Sequence, residues 1–193
     1  MSKPANLPQQ LDHMLRQAVA LQQNGAFAEA EELYREILEL KPRHFEALQL
    51  LGSLALQAGR VEEGIEFLRK ALAVNAKQAP IHSNLAYALN ALQRFDEALA
   101  SANRALALQS KFPDALNNRG NAQAGLNLPL EALSSFDRAI ALTPDFAQAW
   151  NNRAACCAIW VVPPMRSQAA ITRSHCSRLI PTRGAIAATR SAT

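Results

Sequence analysis

The feature that most constrains the fold of this chain is a repeat with a period of 34 residues. Aligned on itself at that spacing, the sequence divides into four complete units and the start of a fifth, at about 11–44, 45–78, 79–112, 113–146 and 147–158. Place 1 of the successive units is Leu11, Phe45, Ala79, Pro113 and Ala147. A period of this length is typical of stacked repeats, in which each unit is one supersecondary element and the core forms between neighbours.

Small residues return at two places of every unit. Place 8 holds Ala18, Gly52, Ala86, Gly120 and Ala154, and place 20 holds Ala30, Gly64, Ala98 and Ala132. A small side chain at these places lets two helices approach closely, whereas a large one would overpack the contact. Larger residues at place 24, namely Tyr34, Leu68 and Phe136, are expected to fill the space between helices. The pattern predicts one pair of nested antiparallel helices in each unit.

Helix-breaking residues separate the predicted helices. Gly25, Gly59 and Asn127 lie between the two helices of a unit, and Pro42 and Pro144 follow the second helix. Alanine and leucine are abundant and aromatic residues make up only 6% of the chain, which favours helix over sheet. We therefore predict an all-α fold with helices at about 10–24, 27–40, 44–58, 61–74, 78–92, 95–108, 112–126, 129–142 and 146–158.

The spacing and the small, aromatic and proline positions resemble the pattern of the tetratricopeptide-repeat (TPR) family. The resemblance implies a right-handed TPR α-solenoid of antiparallel helix pairs, with four full repeats plus one opening helix. It also implies a concave face, lined by the first helix of each pair, on which other polypeptides bind. The expected organisation is an N-terminal extension at 1–9, a solenoid at 10–158 and an irregular or disordered tail at 159–193.

Asparagine returns at place 6 of three first helices, as Asn84, Asn118 and Asn152. Because asparagine costs helix stability, about 0.6 kcal/mol relative to alanine, its return calls for a reason. A carboxamide carries a donor and an acceptor, so it can pair with the backbone of an extended peptide. These residues resemble the asparagine ladder of O-linked N-acetylglucosamine (O-GlcNAc) transferases. The resemblance implies that they bind the backbone of a polypeptide. The alternative is that asparagine is the family's consensus at a solvated site.

The expected groove contains further residues near these asparagines. The candidate peptide-binding set is Asn84, Asn118, Asn152, Asn117, Asn121, Asn151, Tyr87, Ser83, Gln49 and Ser53. In the first two units place 6 holds Arg16 and Leu50, so the ladder fades toward the N-terminus. A carboxylate clamp, as in chaperone-binding TPR domains, needs lysine and arginine on several first helices, and that pattern is missing. The predicted partner is a protein or peptide held in the concave groove, for a scaffold or for substrate recruitment.

No catalytic, cofactor-binding or metal-binding pattern is found in the sequence. The four histidines are scattered, without carboxylates at matching helical spacing and without a glycine-rich phosphate loop. Cys156, Cys157 and Cys176 form an odd, clustered set without metal-ligand spacing, which predicts neither a disulfide framework nor a zinc site. We therefore expect no enzyme and no cofactor, and a reducing compartment.

Charge is unevenly distributed along the chain. The formal net charge is +4, but all 16 acidic residues lie before residue 146, and the charged residues after it are all arginines. This basic end has no aromatic platform, so nucleic acid is not an expected partner. No stretch approaches the roughly 18 apolar residues of a membrane span, and the N-terminus lacks an apolar signal-peptide core. These features favour a cytoplasmic protein that does not bind membranes.

The repeat pattern stops near Cys156. We interpret the tail as repeat sequence read in a shifted frame, since a one-base shift yields glycine from the codons of Trp160 and Val161, at the place of Gly59. The last helix would then lack the helix that should cover it. This predicts exposed apolar surface near Ala149 to Ala158, and hence self-association through an uncapped C-terminal end.

A second interpretation concerns the whole chain. The opening sequence AVALQQNGAFAEAEELYREILELKPRH and the later NNRGNA are similar to the N-terminal TPR arrays of bacterial O-GlcNAc-transferase-like (SPINDLY-type) glycosyltransferases. The resemblance implies, as the alternative function, a truncated and catalytically inactive TPR portion of such an enzyme.

Overall fold

The computed structural model describes residues 7–161 of the 193-residue chain, with side chains as far as residue 158. The helices of this range are α1 Leu7–Gln23, α2 Phe27–Leu40, α3 Phe45–Gln57, α4 Val61–Val74, α5 Ala79–Ala91, α6 Phe95–Leu108, α7 Pro113–Gly125, α8 Pro129–Leu142 and α9 Ala147–Val161. The predicted all-α fold is therefore confirmed over the described range. The reading-frame interpretation and the tail from residue 162 onward lie outside the described residues.

The helices form pairs that stack in chain order. α1 packs against α2, α3 against α4, α5 against α6 and α7 against α8, and each even-numbered helix also packs against the odd-numbered helix that follows it. The odd-numbered helices of neighbouring units contact one another as well, from α3 to α9. The result is a solenoid in which odd-numbered helices line one face and even-numbered helices line the other.

Side-chain size is matched between place 8 and place 24 of a unit. A Cβ atom added at Gly120 would lie 2.4 Å from Cε1 of Phe136, so no side chain fits there. In the third unit the two places hold Ala86 and Ala102, and both are fully buried. The predicted reason for the recurring small residues is thus confirmed: they leave room for the neighbouring helix of the same unit.

The turn between the two helices of a unit requires a left-handed backbone. Gly25 and Gly59 have φ angles of 82° and 76°, and Asn127 has 61°. The same place in the third unit is Gln93, with φ 57°, which the sequence pattern does not reveal. Because a Cβ atom disfavours this conformation, the turn at Gln93 is the strained member of the series.

An ion-pair network joins the second helices of the first two units. Glu31 accepts hydrogen bonds from Nη1 of Arg60 at 2.9 Å and Nη2 of Arg35 at 2.7 Å, and Arg35 also reaches Oε1 of Glu63 at 2.6 Å. The hydrogen bond from Arg60 is the main reason that the pKa of Glu31 falls to about 2, although burial opposes it. Part of the arrangement recurs 34 residues later among Arg69, Arg94 and Glu97. These pairs help to fix how neighbouring units stack.

Candidate functional site

Two adjoining cavities lie along the face built by the odd-numbered helices, and we call them together the groove. The first cavity, of about 360 Å³, is lined by Ser53, Leu56, Gln57, Asn84 and Tyr87. The second, of about 260 Å³, is lined by Ser83, Asn84, Tyr87, Phe112, Asp114, Asn117, Asn118 and Gln148. Because Asn84 and Tyr87 line both cavities, the groove is continuous from α3 to α9 and α5 lies at its centre.

Asn84 and Tyr87 are the exposed groove residues of α5. They lie one helical turn apart, and the side chain of Tyr87 is 54% exposed. The carboxamide of Asn84 forms no hydrogen bond with another residue in the described part of the chain. Its donor and acceptor are therefore available to a ligand in the groove.

The other predicted ladder asparagines bond to the neighbouring unit. Nδ2 of Asn118 donates to the backbone oxygen of Ser83 at 3.0 Å and to its Oγ at 3.2 Å. Nδ2 of Asn152 donates to Oδ1 of Asn117 at 2.9 Å. In both cases the amide at place 6 of one unit donates a hydrogen bond to the residue at place 5 of the preceding unit. Asn118 and Asn117 are buried, with 6% and 1% of their surfaces exposed, so these amides connect successive first helices.

Asn90 is part of the same polar contact and was not predicted from the sequence. Its Nδ2 donates to the backbone oxygen of Asn118 at 2.8 Å, which adds a second bond between α5 and α7. Its Oδ1 is buried without a hydrogen-bond partner among the described residues. The sequence could have indicated this contact, because Asn90 occupies place 12 of its unit. Place 12 lies two helical turns after place 5 and therefore on the same face of α5.

The remaining predicted groove residues are divided between the groove and its surroundings. Ser53 is half-buried and lines the first cavity, whereas Ser83 is buried beneath the second. Gln49 and Asn121 are half-buried and Asn151 is exposed, and none of these three lines either cavity. The structure therefore brings Asn84, Tyr87 and Ser53 to the groove surface and leaves these three outside it.

Asp114 and Gln148 line the second cavity and were missed in the sequence. Both occupy place 2, in the first turn of α7 and α9, and both are exposed. Their spacing of 34 residues was a usable signal, because place 2 lies one turn before places 5 and 6 on the same helix face. Asp114 is the one ionisable acid among the residues lining the two cavities, and neither cavity is lined by lysine or arginine.

Two histidines have structural contacts within the solenoid. Nδ1 of His44 accepts a hydrogen bond from the backbone N–H of Ala47 at 3.4 Å, so His44 caps α3. Nε2 of His82 lies 3.0 Å from the backbone oxygen of Ala76. Burial is the main cause that lowers the pKa of both imidazoles. No group of three or more potential metal ligands occurs among the described residues.

α9 carries a buried ion pair with α8. Nε of Arg153 donates to Oδ1 of Asp137 on α8 at 2.6 Å, and Arg153 is only 4% exposed. Its Nη2 has no hydrogen-bond partner among the described residues. α9 is therefore attached to α8 through a charge that has little contact with water.

The cysteines of α9 differ in state. Cys156 is a buried free thiol, and burial raises its pKa. Cys157 is disulfide-bonded, whereas the sequence predicted no disulfide framework. That expectation rested on spacing along the chain, which does not reveal which thiols meet in space.

None of the helices in the described range combines the length and the apolar character that a membrane crossing requires.

Comparisons with known proteins agree with the repeat architecture. A family model described as a tetratricopeptide repeat matches residues 15–80 and 117–159, and a second model with the same description matches residues 55–118. The comparison with curated proteins gives no match.

Solved structures of the same fold include three that illustrate its range. YrrB, a TPR protein with an unusual peptide-binding site, is 20% identical with a TM-score of 0.71, over 96% of this chain and 98% of that chain. The first TPR of Spaghetti, bound to an HSP90 peptide, is 25% identical with a TM-score of 0.56, over 58% and 89%. A Thermobaculum terrenum O-GlcNAc transferase mutant is 25% identical with a TM-score of 0.63, over 71% of this chain but 27% of that one.

Proposed function

The chain belongs to the tetratricopeptide-repeat family, and from this membership we propose that the groove binds an extended peptide of another protein, for a scaffold or for substrate recruitment. The TPR fold is typical of protein–protein interaction modules. Spaghetti, which shares the fold, is bound to an HSP90 peptide in its solved structure. The observation that carries the proposal is the exposed carboxamide of Asn84, which lies beside Tyr87 where the two cavities meet.

The groove suits a peptide backbone for two physical reasons. Asn84 offers one donor and one acceptor, which match the C=O and N–H of an extended strand without reading its side chains. Tyr87 adds an exposed ring against which a peptide side chain can pack at small entropic cost.

The asparagines that bond to the preceding unit support the groove from below. Asn118 and Asn152 hold α5, α7 and α9 at fixed spacing through hydrogen bonds to the preceding unit. A surface that already has its bound shape loses less conformational entropy when a ligand arrives. In this proposal Asn84 contacts the peptide, whereas Asn117, Asn118 and Asn152 keep the groove in shape.

Replacing Asn84 by alanine is expected to weaken peptide binding about 5- to 30-fold. One or two hydrogen bonds to the peptide backbone are lost, worth roughly 1–2 kcal/mol in total. The measurement is fluorescence anisotropy with peptides selected on the intact protein from a random library displayed on phage. Asn103→Ala is the matched control, because Asn103 is an exposed asparagine on α6, outside the groove. Equal affinities of the two variants would refute the role of Asn84, and a library without any binder would refute the proposal itself.

A second candidate function is the TPR portion of an O-GlcNAc-transferase-like enzyme, inactive without its catalytic part. It is supported by the 25% identity with the Thermobaculum terrenum transferase over 71% of this chain. Sequencing the DNA downstream of this chain tests it. Codons for a nucleotide-sugar-binding domain in an alternative frame would support this candidate, and their absence from every frame would dismiss it.

We further propose that the chain self-associates through the outer side of α9, where Ala154, Ala155 and Ala158 are exposed. Sedimentation velocity should show a concentration-dependent dimer, and Ala155→Glu should return it to monomer because it places a charge in the contact. A strictly monomeric protein at high concentration would dismiss this proposal.

Nucleic acid and membranes are not proposed as partners. The cytoplasmic location stays a prediction, which fractionation of cells would test.

A further inference from the structure

The second cavity of the groove combines two features that attract a positive charge. The carboxylate of Asp114 is exposed, and no ion pair of the described residues involves it. The exposed ring of Tyr87 lines the same cavity, and an aromatic face attracts cations through its quadrupole. A cation placed between them would gain from both groups at once.

Several polar atoms around this pair can accept hydrogen bonds from a ligand. Nδ2 of Asn118 donates to the backbone oxygen of Ser83 at 3.0 Å and to its Oγ at 3.2 Å. The Oδ1 of Asn118 is an acceptor. Asp114 adds two acceptor oxygens, and an ionised carboxylate has no donor. These acceptors complement a group that carries several N–H donors and a positive charge.

The size of the cavity and the absence of competing charge narrow the choice of ligand. A volume of about 260 Å³ is below the roughly 300–1,000 Å³ that is usual for small-molecule pockets, and it suits one amino-acid side chain. Neither cavity of the groove is lined by a lysine or arginine that could neutralise Asp114. An acidic side chain in this place would meet a like charge without compensation.

From this geometry we propose that the second cavity is a subsite for a basic side chain of the bound peptide, arginine in preference to lysine, held between Asp114 and Tyr87. The guanidinium is favoured because its planar set of N–H donors can pair with a carboxylate while its face stacks on an aromatic ring. The inference rests on the proposed peptide-binding function and adds to it the charge of the ligand.

The test is a parallel selection from the random phage library on the intact wild-type protein and on Asp114→Lys. Wild-type binders should share arginine or lysine at one position, and binders of Asp114→Lys should lose that preference. Changing the shared residue to alanine should weaken binding to the wild type about tenfold, and added salt should reduce the difference. Wild-type binders without a basic position would overturn the subsite while leaving peptide binding intact. No binders at all would overturn both.

Point variants separate the two groups of the subsite. Asp114→Asn should weaken the arginine-containing peptide about 5- to 10-fold, since it keeps the shape and removes the charge. Tyr87→Phe should bind nearly as well as the wild type, whereas Tyr87→Leu should bind several-fold more weakly because the ring is gone. Asp96→Asn is the control, since Asp96 is exposed in the first turn of α6, away from the groove. Equal binding by Asp114→Asn and Asp96→Asn, with unchanged melting curves, would overturn the role of Asp114.

Discussion

Replacing Tyr34 by alanine is expected to lower the free energy of unfolding of the first unit by about 3–5 kcal/mol, the usual cost of removing a large buried aromatic side chain. Tyr34 is 0% exposed and lies in a cluster with residues of α1, α2 and α3. Its hydroxyl donates to Oε1 of Gln22 at 2.8 Å, which joins the two helices of the unit. The milder change Tyr34→Phe should cost about 1 kcal/mol, since it removes the hydrogen bond and keeps the ring.

The loss should be local because a solenoid is stabilised by contacts between neighbours. α1 packs against α2, and α2 packs against α3, so the first unit can open while the later units stay folded. Hydrogen exchange should therefore accelerate in α1 and α2 of Tyr34→Ala and stay unchanged in α7. Tyr87→Ala is the matched control, since its side chain is 54% exposed and its loss should change stability by less than about 0.5 kcal/mol. Similar losses in the two variants would contradict the assigned core.

The helices could be predicted because the repeat fixes their number and their contacts independently of fine detail. Small residues at places 8 and 20 recur in every unit, and helix pairs cannot nest without them. The ends were less certain. α1 begins at Leu7 rather than near residue 10, and Pro8 lies in its first turn, where proline is favoured. α9 likewise runs to Val161, three residues past its predicted end at residue 158.

The groove could be predicted only in part, because the period of one helix does not show what the next helix places against it. Asn84 and Asn118 occupy the same place, yet Asn84 is exposed and Asn118 is buried. The difference lies in the preceding unit: Asn118 has Ser83 within hydrogen-bonding distance, whereas Asn84 forms no such bond to another described residue. Asp114 could not be distinguished by its residue type, because acids are favoured in the first turn of any helix.

Replacing Asp137 by alanine is expected to release α9 from α8. Arg153 is 4% exposed, and its Nε loses its partner at 2.6 Å when the carboxylate is removed. An unpaired buried charge costs about 3–5 kcal/mol. Detachment of α9, which exposes the arginine to water, should therefore be favoured over keeping that charge buried. Trp150 of α9 is half-buried and its Nε1 donates to the backbone oxygen of Pro144 at 2.9 Å, so a change of its fluorescence reports the release of α9.

The repeat itself supplies the variant that distinguishes charge from packing. Arg153 occupies place 7, where the second and third units have the buried residues Leu51 and Leu85. Arg153→Leu combined with Asp137→Ala should therefore restore α9, because replacing a buried ion pair by apolar side chains is often neutral or stabilising. If α9 of the double variant showed the same fluorescence change and hydrogen exchange as in Asp137→Ala, the carboxylate would be needed for packing rather than for pairing with Arg153. If Asp137→Ala alone left the fluorescence and the hydrogen exchange of α9 unchanged, the ion pair would have no part in holding the last helix.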